Sequence, residues 1–145
     1  MKWITRQRIQ VNRTATCWLI CRFLDSEAAF LFVLPEEVAT VQTTQSATGF
    51  DAPGATYPHK NAEGFCSFAA LVYERLANDP ALVEMAQIVQ AADFSDQLDK
   101  HPAPPGLQLI SRAFPMVTAM ITKLRGEQRS FTALYASIKQ DRTEP

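Results

Sequence analysis

The sequence has few of the residues that build the commonest ligand and metal sites. Its 145 residues include three cysteines, two histidines and five glycines. An odd number of cysteines does not describe a disulfide framework, and a zinc site takes about four ligands, or three and a water. The glycines have neither phosphate-loop nor dinucleotide-binding spacing. Free thiols predict a cytoplasmic protein with reduced cysteines.

Long apolar runs and a secretory signal are also missing. A membrane-spanning helix needs about 20 apolar residues, and the nearest stretch, residues 107–124, contains Arg112 and Pro115. The N-terminal segment is basic but lacks the apolar core of a signal peptide. We therefore expect a single domain over residues 1–145 with no membrane partner. A chain of this size folds without needing disulfides or a metal.

Charge is nearly balanced overall but unevenly distributed. The net charge is -1, which gives no indication of nucleic acid binding by this domain alone. Residues 1–24 hold five basic residues and no acid, whereas residues 25–107 hold twelve acids and three basic residues. The N-terminal arginines have two interpretations. They converge on a small oxyanion, or they pair with the acidic middle of the chain.

Apolar periodicity predicts a mainly α-helical α+β domain. Helices are expected over residues 14–25, over residues 35–45 and over most of residues 65–139. Within the last range, we expect Gly126 to separate two helices and Pro115 to kink one. Start signals are proposed at three residues: Asn12 or Thr14 for the first helix, and Asp79 before Pro80 for a later one.

A small two- or three-stranded sheet is expected near the N-terminus. Ala29–Leu34 is short, apolar and aromatic and is followed by Pro35, which favours a buried strand. The segments "MKWITR" and "ATGFD" alternate briefly and are the other two candidates.

Residues 49–68, "GFDAPGATYPHKNAEGFCSF", form the least regular stretch and raise the main functional question. They hold three of the five glycines together with His59 and Cys66. With Glu63 and Asp93, these two residues supply ligand types found in metal sites. Alternatively, a thiol at the start of a helix has a lowered pKa and acts as a nucleophile.

A structural interpretation of the same pair competes with both. His59 lies among loop residues, so we expect it to be accessible to solvent. Cys66 lies between Phe65 and Phe68, so we expect it to be buried at the start of a helix, with an ordinary or raised pKa.

Several segments carry a resemblance to a known family, in the order "MKWITR", "NRTATCWLICRFLDSEAAFLFV", "FDAPG", "CSF", "IVQAADFSD" and "APPGL". Together they resemble the C-terminal domain family of the chromate resistance protein ChrB, over nearly all the chain. In that family the domain follows an N-terminal region or occurs with a rhodanese-like domain. The resemblance implies a link to chromate resistance, a stress response, with a sensing or regulatory role for the full-length protein.

The chain departs from the family pattern at three places. Asn12 stands where the family usually has aspartate, Ala69 stands where it usually has a carboxylate after Cys-Ser-Phe, and the interval from His59 to Cys66 is longer. If those positions form a polar site, it is altered here. The polar or aromatic residues that remain are Arg13, Trp18, Arg22, Asp51, His59, Cys66 and Asp93.

Three functional hypotheses follow. The first is a domain that binds or responds to a small oxyanion such as chromate, since bidentate arginine hydrogen bonds suit a tetrahedral dianion. Its ligand-binding residues would be Arg13, Trp18, Arg22, Asp51, His59 and Asp93.

The second hypothesis is a metal-dependent or thiol enzyme centred on His59, Cys66 and Asp93, and the third is a helical interaction domain. The carboxylates missing at Asn12 and Ala69 count against the second, because hydrolytic and metal sites depend on their acids. The sequence names no cofactor and leaves the metal and the oligomeric state open.

Overall fold

The structure, a computed structural model, describes residues 1–8, 10–94, 106–107 and 120–143. The strands are β1 (Lys2–Arg6), β2 (Ala29–Val33) and β3 (Thr48–Gly49). The α-helices in these ranges are α1 (Val11–Leu19), α2 (Val38–Thr44), α3 (Ser67–Arg75), α4 (Pro80–Asp93) and α5 (Met120–Thr143). The predicted mainly helical α+β class with a small N-terminal sheet is confirmed, and so are all three predicted strands.

The three strands are parallel and lie in the order β2-β1-β3. Parallel neighbours need crossover connections, and α1 and α2 provide them. Trp3 pairs with Thr48 and Ile4 with Gly49. Because the carboxyl ends of parallel strands meet at one edge of a sheet, this register places the end of β1 beside the loop that follows β3.

Helix α1 is the centre of the core. All nine of its residues are buried, and it packs against α3, α4 and α5. It continues as one π-helical turn, Ile20–Leu24. A helix buried on every side is usually apolar, yet α1 carries Asn12, Arg13, Thr14 and Thr16. Buried polar groups need partners, so the partners of these side chains define the polar part of the interior.

The predicted caps of α1 are wrong. Gln10 is the N-cap and makes no side-chain cap bond. Thr14 lies inside the helix, where its Oγ1 donates to the Gln10 carbonyl at 2.9 Å. Asn12 also lies inside α1, but its Oδ1 accepts a 3.1 Å hydrogen bond from the Phe68 backbone N–H, in the first turn of α3. Asn12 therefore satisfies an N-terminal donor of another helix.

Downstream predictions were partly correct. Asp79 caps α4 by accepting from the backbone N–H groups of Ala81 and Leu82. Helix α5 runs through Gly126, so the predicted break there is wrong. Glycine inside a helix costs about 1 kcal/mol relative to alanine, which the rest of a long helix outweighs. The Pro115 kink and His101 lie outside the described residues. No described helix is long and apolar enough to cross a membrane.

Candidate functional site

Asp51, in the loop that follows β3, is the centre of the polar cluster. Its side chain is 1% exposed, and its backbone has φ +52°, in the left-handed region that few residues other than glycine and asparagine or aspartate adopt. Its Oδ1 lies 2.7 Å from His59 Nδ1 and 3.4 Å from Arg6 Nη2, and its Oδ2 lies 3.2 Å from Arg13 Nε. One buried carboxylate thus holds three nitrogen-bearing side chains.

The two arginines reach Asp51 from different elements. Arg6 is the last residue of β1, and its Nε donates to the Asp51 carbonyl at 2.7 Å. Arg13 lies in α1 and is 3% exposed, and its Nη1 donates to the Gln7 carbonyl at 3.2 Å. Arg13 Nε has no well-aligned hydrogen-bond acceptor among the described residues, so its pairing with Asp51 is a close ionic contact. Burial lowers the pKa of Arg13, and the Asp51 charge partly opposes that shift.

Asp93 brings a second carboxylate to the cluster. It is the last residue of α4 and is 5% exposed, and its Oδ2 lies 3.6 Å from His59 Nδ1. Burial raises the pKa of Asp93 to about 6, with the Asp51 charge acting in the same direction. A carboxylate at a helix C-terminus also faces the negative end of the helix dipole. Its Oδ2 has no hydrogen-bond partner among the described residues.

His59 is the accessible member of the cluster, as predicted. Its side chain is 43% exposed, and its ring meets the Phe94 ring edge-on at 5.5 Å. The hydrogen bond to Asp51 raises the pKa of His59, although burial opposes this. The imidazole is therefore held in its protonated form more strongly than a free histidine.

The structure brings four of the six predicted ligand-binding residues together: Arg13, Asp51, His59 and Asp93. It does not bring Trp18 there. Trp18 is 3% exposed, and its indole N–H donates to Thr132 Oγ1 at 2.9 Å. Its ring contacts Phe23, Phe131 and Tyr135. Trp18 is a core residue that holds α5.

Arg22 also lies apart from the cluster. It is exposed, and its guanidinium lies 5.8 Å from the ring centres of both Phe23 and Tyr135. Arg22 is nine positions after Arg13 and lies in the π-helical turn, whereas Arg13 is buried in α1 beside Asp51. The expectation that Arg13 and Arg22 act together on one ligand is therefore not supported.

Cys66 does not have the properties of a nucleophile. It precedes α3 as its N-cap residue and is 0% exposed. Burial raises the pKa of the Cys66 thiol to about 12, the opposite of what an activated thiol requires. The predicted burial of Cys66 is confirmed, and the thiol-enzyme hypothesis loses its support.

We expect Cys66 to resist alkylation in the native protein at neutral pH and to react on unfolding. The reagent cannot reach the buried thiol, and almost none of the thiol is ionised at pH 7. A short iodoacetamide treatment with and without urea, followed by peptide mass spectrometry, measures this directly. Rapid native labelling that His59→Ala slows would contradict the expectation and restore the activated pair.

Sequence reasoning missed Arg6 and the role of Asn12. The available signal for Arg6 was that it ends the predicted strand "MKWITR" as Asp51 ends "ATGFD", so parallel pairing of the two strands would bring these residues together. Asn12 Oδ1 also accepts from Ser67 Oγ at 3.2 Å, so it lies against the residues immediately before Ala69. The two positions where the resemblance expects carboxylates are thus neighbours. Asn12 Nδ2 is buried without a partner among the described residues.

The fold and the cluster define a helical α+β domain whose interior carries two carboxylates, two guanidiniums and one half-exposed imidazole. The family profile described as ChrB, C-terminal domain, matches residues 3–138, and the chain belongs to that family. Protein ChrB of Cupriavidus metallidurans (strain CH34) is 38% identical over 93 residues, which are 63% of this chain and 27% of that protein. The chain therefore matches only about a quarter of the length of this curated relative. No solved structure matches.

Proposed function

We propose that this domain is the ligand-responsive part of a cytoplasmic chromate-resistance protein and binds a small tetrahedral oxyanion such as chromate. Membership of the ChrB family supports the link to chromate resistance. The observation that carries the anion proposal is that Asp51 holds Arg6 and His59 side by side. Arg6 Nη2 and His59 Nδ1 are 3.4 Å apart, and their side chains are 24% and 43% exposed.

Both side chains retain donors that point away from Asp51. A guanidinium has five N–H groups, and Arg6 uses its Nε and one Nη2 group on Asp51. A protonated imidazole donates from both nitrogens, so while Nδ1 contacts Asp51, Nε2–H is the proposed donor to an anion. Charge-assisted hydrogen bonds of this kind are the strong ones.

The remaining residues of the cluster have supporting roles in this proposal. Arg13 is too deeply buried to meet an anion from solvent, and we assign it the role of balancing the Asp51 charge. Asp93 repels an anion only when it is ionised. Because its pKa is raised to about 6, part of the Asp93 population is protonated near pH 6. Trp18 and Arg22 are not part of the proposed site. A single domain over residues 1–145 remains a prediction, which the packing of α1 against α5 supports.

We expect millimolar sulfate or chromate to raise the melting temperature of the wild type. A ligand bound only by the folded state at 100 times its Kd stabilises it by about 2.7 kcal/mol, which corresponds to several degrees for a chain of this size. Arg6→Ala and His59→Ala should each abolish the shift. Sulfate is the primary probe because it does not oxidise thiols, and differential scanning fluorimetry at constant ionic strength is the measurement.

Arg22→Ala is the matched control, since it removes an exposed arginine outside the cluster and should leave the shift intact. An unchanged wild-type melting temperature at millimolar anion would contradict the proposal. A shift that Arg22→Ala abolishes and Arg6→Ala does not would also contradict it.

A further inference from the structure

We infer that Asp51, His59 and Asp93 form a binding site for a divalent transition-metal ion of the Zn²⁺ or Mn²⁺ type. One ligand atom from each of the three residues lies within 4.8 Å of the others. Asp51 and His59 lie in the irregular stretch after β3, and Asp93 ends α4. An imidazole nitrogen with two carboxylates is a donor set that such ions accept.

The distances fit coordination after small side-chain movements. Zinc lies about 2.0–2.2 Å from nitrogen and oxygen ligands, so two ligands of one tetrahedral ion are about 3.3–3.6 Å apart. His59 Nδ1 is 2.7 Å from Asp51 Oδ1 and 3.6 Å from Asp93 Oδ2. The separation between His59 and Asp93 already has the coordinated value, whereas Asp51 Oδ1 would have to move away from His59 by about 0.6–0.9 Å.

The Asp93 carboxylate supplies a second, independent observation. The Asp93 side chain is 5% exposed, and its Oδ2 lies 3.6 Å from His59 Nδ1 without a hydrogen-bond partner among the described residues. Buried polar atoms in native proteins nearly always have a partner, and an unpartnered one calls for an explanation such as an ion. A cation between Asp93 and His59 would satisfy this oxygen.

The two arginines limit the affinity but do not block the site. Arg6 Nη2 lies 3.4 Å from both Asp51 Oδ1 and His59 Nδ1, so it would have to move outward when a cation binds. Arg6 is 24% exposed and can do so while its Nε stays on the Asp51 carbonyl. The two guanidiniums equal the two carboxylates of the cluster in number, so there is no surplus negative charge to attract a cation. The ion therefore depends on direct coordination by Asp93 and on Arg6 moving away.

A metal held by three protein ligands keeps positions open for water or an oxyanion. Coordination by His59 Nδ1 displaces the proton on that nitrogen to solvent, while Nε2–H remains. If the proposed function is correct, on which this step rests, the exchange of one proton for a divalent cation adds net positive charge and strengthens anion binding. We therefore expect sulfate to bind more tightly in the presence of Zn²⁺ than in its absence.

The test is calorimetric titration of the full chain with Zn²⁺ at neutral pH. The wild type should bind one ion. Two variants remove one ligand each: His59→Ala, and Asp93→Asn, which keeps the shape of the side chain. Each should weaken zinc binding more than about 100-fold, which exceeds the loss of affinity caused by replacing residues that only orient ligands. His101→Ala removes the other histidine and should leave binding unchanged, and thermal unfolding confirms that each variant is folded.

Cobalt(II) spectra separate this site from the cysteines, because coordination by nitrogen and oxygen gives no thiolate charge-transfer band. A thiolate band, loss of binding in His101→Ala, or full binding in Asp93→Asn would overturn the inference. Repeating the sulfate titration with and without Zn²⁺ distinguishes the two proposals. Zinc binding without any sulfate binding contradicts the proposed function alone, and sulfate binding without zinc binding contradicts the metal site alone.

Discussion

Replacing Asp51 with alanine is expected to lower the free energy of unfolding by about 3–5 kcal/mol, the cost of removing one partner of a buried ion pair. Asp51 is 1% exposed and faces Arg13, which is 3% exposed. Without the Asp51 carboxylate, the Arg13 guanidinium stays buried, and of the two carboxylates in the cluster only Asp93 remains near it. Because a domain is stable by only about 5–15 kcal/mol, this one substitution removes a large share of the stability.

Asp51→Asn removes the negative charge but keeps a residue type that tolerates the left-handed backbone conformation, so it tests the contribution of the charge to stability. Asn tolerates the left-handed region as Asp does, whereas alanine there costs about 1–2 kcal/mol. We therefore expect Asp51→Asn to be destabilising by less than Asp51→Ala, with the difference reporting the φ +52° conformation together with the hydrogen bonds that the amide oxygen still accepts.

Urea denaturation followed by circular dichroism measures both variants. Glu27→Gln, at an exposed position, is the control and should change stability by less than about 0.5 kcal/mol. If Asp51→Ala cost less than about 1 kcal/mol, the buried pairing with Arg13 would not be an important part of the fold.

Trp18→Ala is expected to destabilise the protein by about 3–5 kcal/mol, because it leaves a large cavity in the core. The Trp18 ring lies between the π-helical turn and α5, in contact with Phe23, Phe131 and Tyr135. Helix α5 thereby loses its main aromatic contact with α1. Limited proteolysis should then cut α5 first, since its docking is weakened.

Trp18→Phe distinguishes packing from ligand binding. Phenylalanine keeps most of the ring contacts and loses the hydrogen bond to Thr132, worth about 1 kcal/mol. The melting-temperature response to sulfate should be unchanged in this variant. If Trp18→Phe lost that response while keeping its stability, Trp18 would belong to the ligand site. If Trp18→Ala lowered the free energy of unfolding by no more than the exposed control Leu34→Ala, the core role of Trp18 would be contradicted.

The elements of the fold could be predicted where the signals are local. The apolar run Ala29–Leu34 before Pro35 and the pair Asp79-Pro80 each determine their own conformation within a few residues. The role of Asn12 could not be predicted in this way. Its oxygen bonds to Phe68, 56 residues away, and no local pattern reveals a cap donated from another helix. The predicted helix break at Gly126 was wrong for a related reason, since the propensity of one residue does not decide whether a long helix continues.

The residues of the candidate site were predicted from the family resemblance and from residue types, and their geometry was not. Asp51, His59 and Asp93 are polar residues in otherwise apolar or irregular segments, and the structure brings them together with Arg13. Arg22 was chosen for its charge, although the structure places it in the π-helical turn after α1, exposed and beside Phe23 and Tyr135. Arg6 was overlooked because its approach to Asp51 depends on the pairing of β1 with β3, which only the tertiary structure provides.

The central position of β1 determines the order in which the sheet can open to solvent. Strand β1 is bonded to β2 on one edge and to β3 on the other, so its release requires two ladders to break. Either outer strand detaches when one ladder breaks. Local opening therefore proceeds from the outer strands inward. Because Arg6 ends the innermost strand, the anchoring of Arg6 beside Asp51 outlasts partial fraying at the β2 edge.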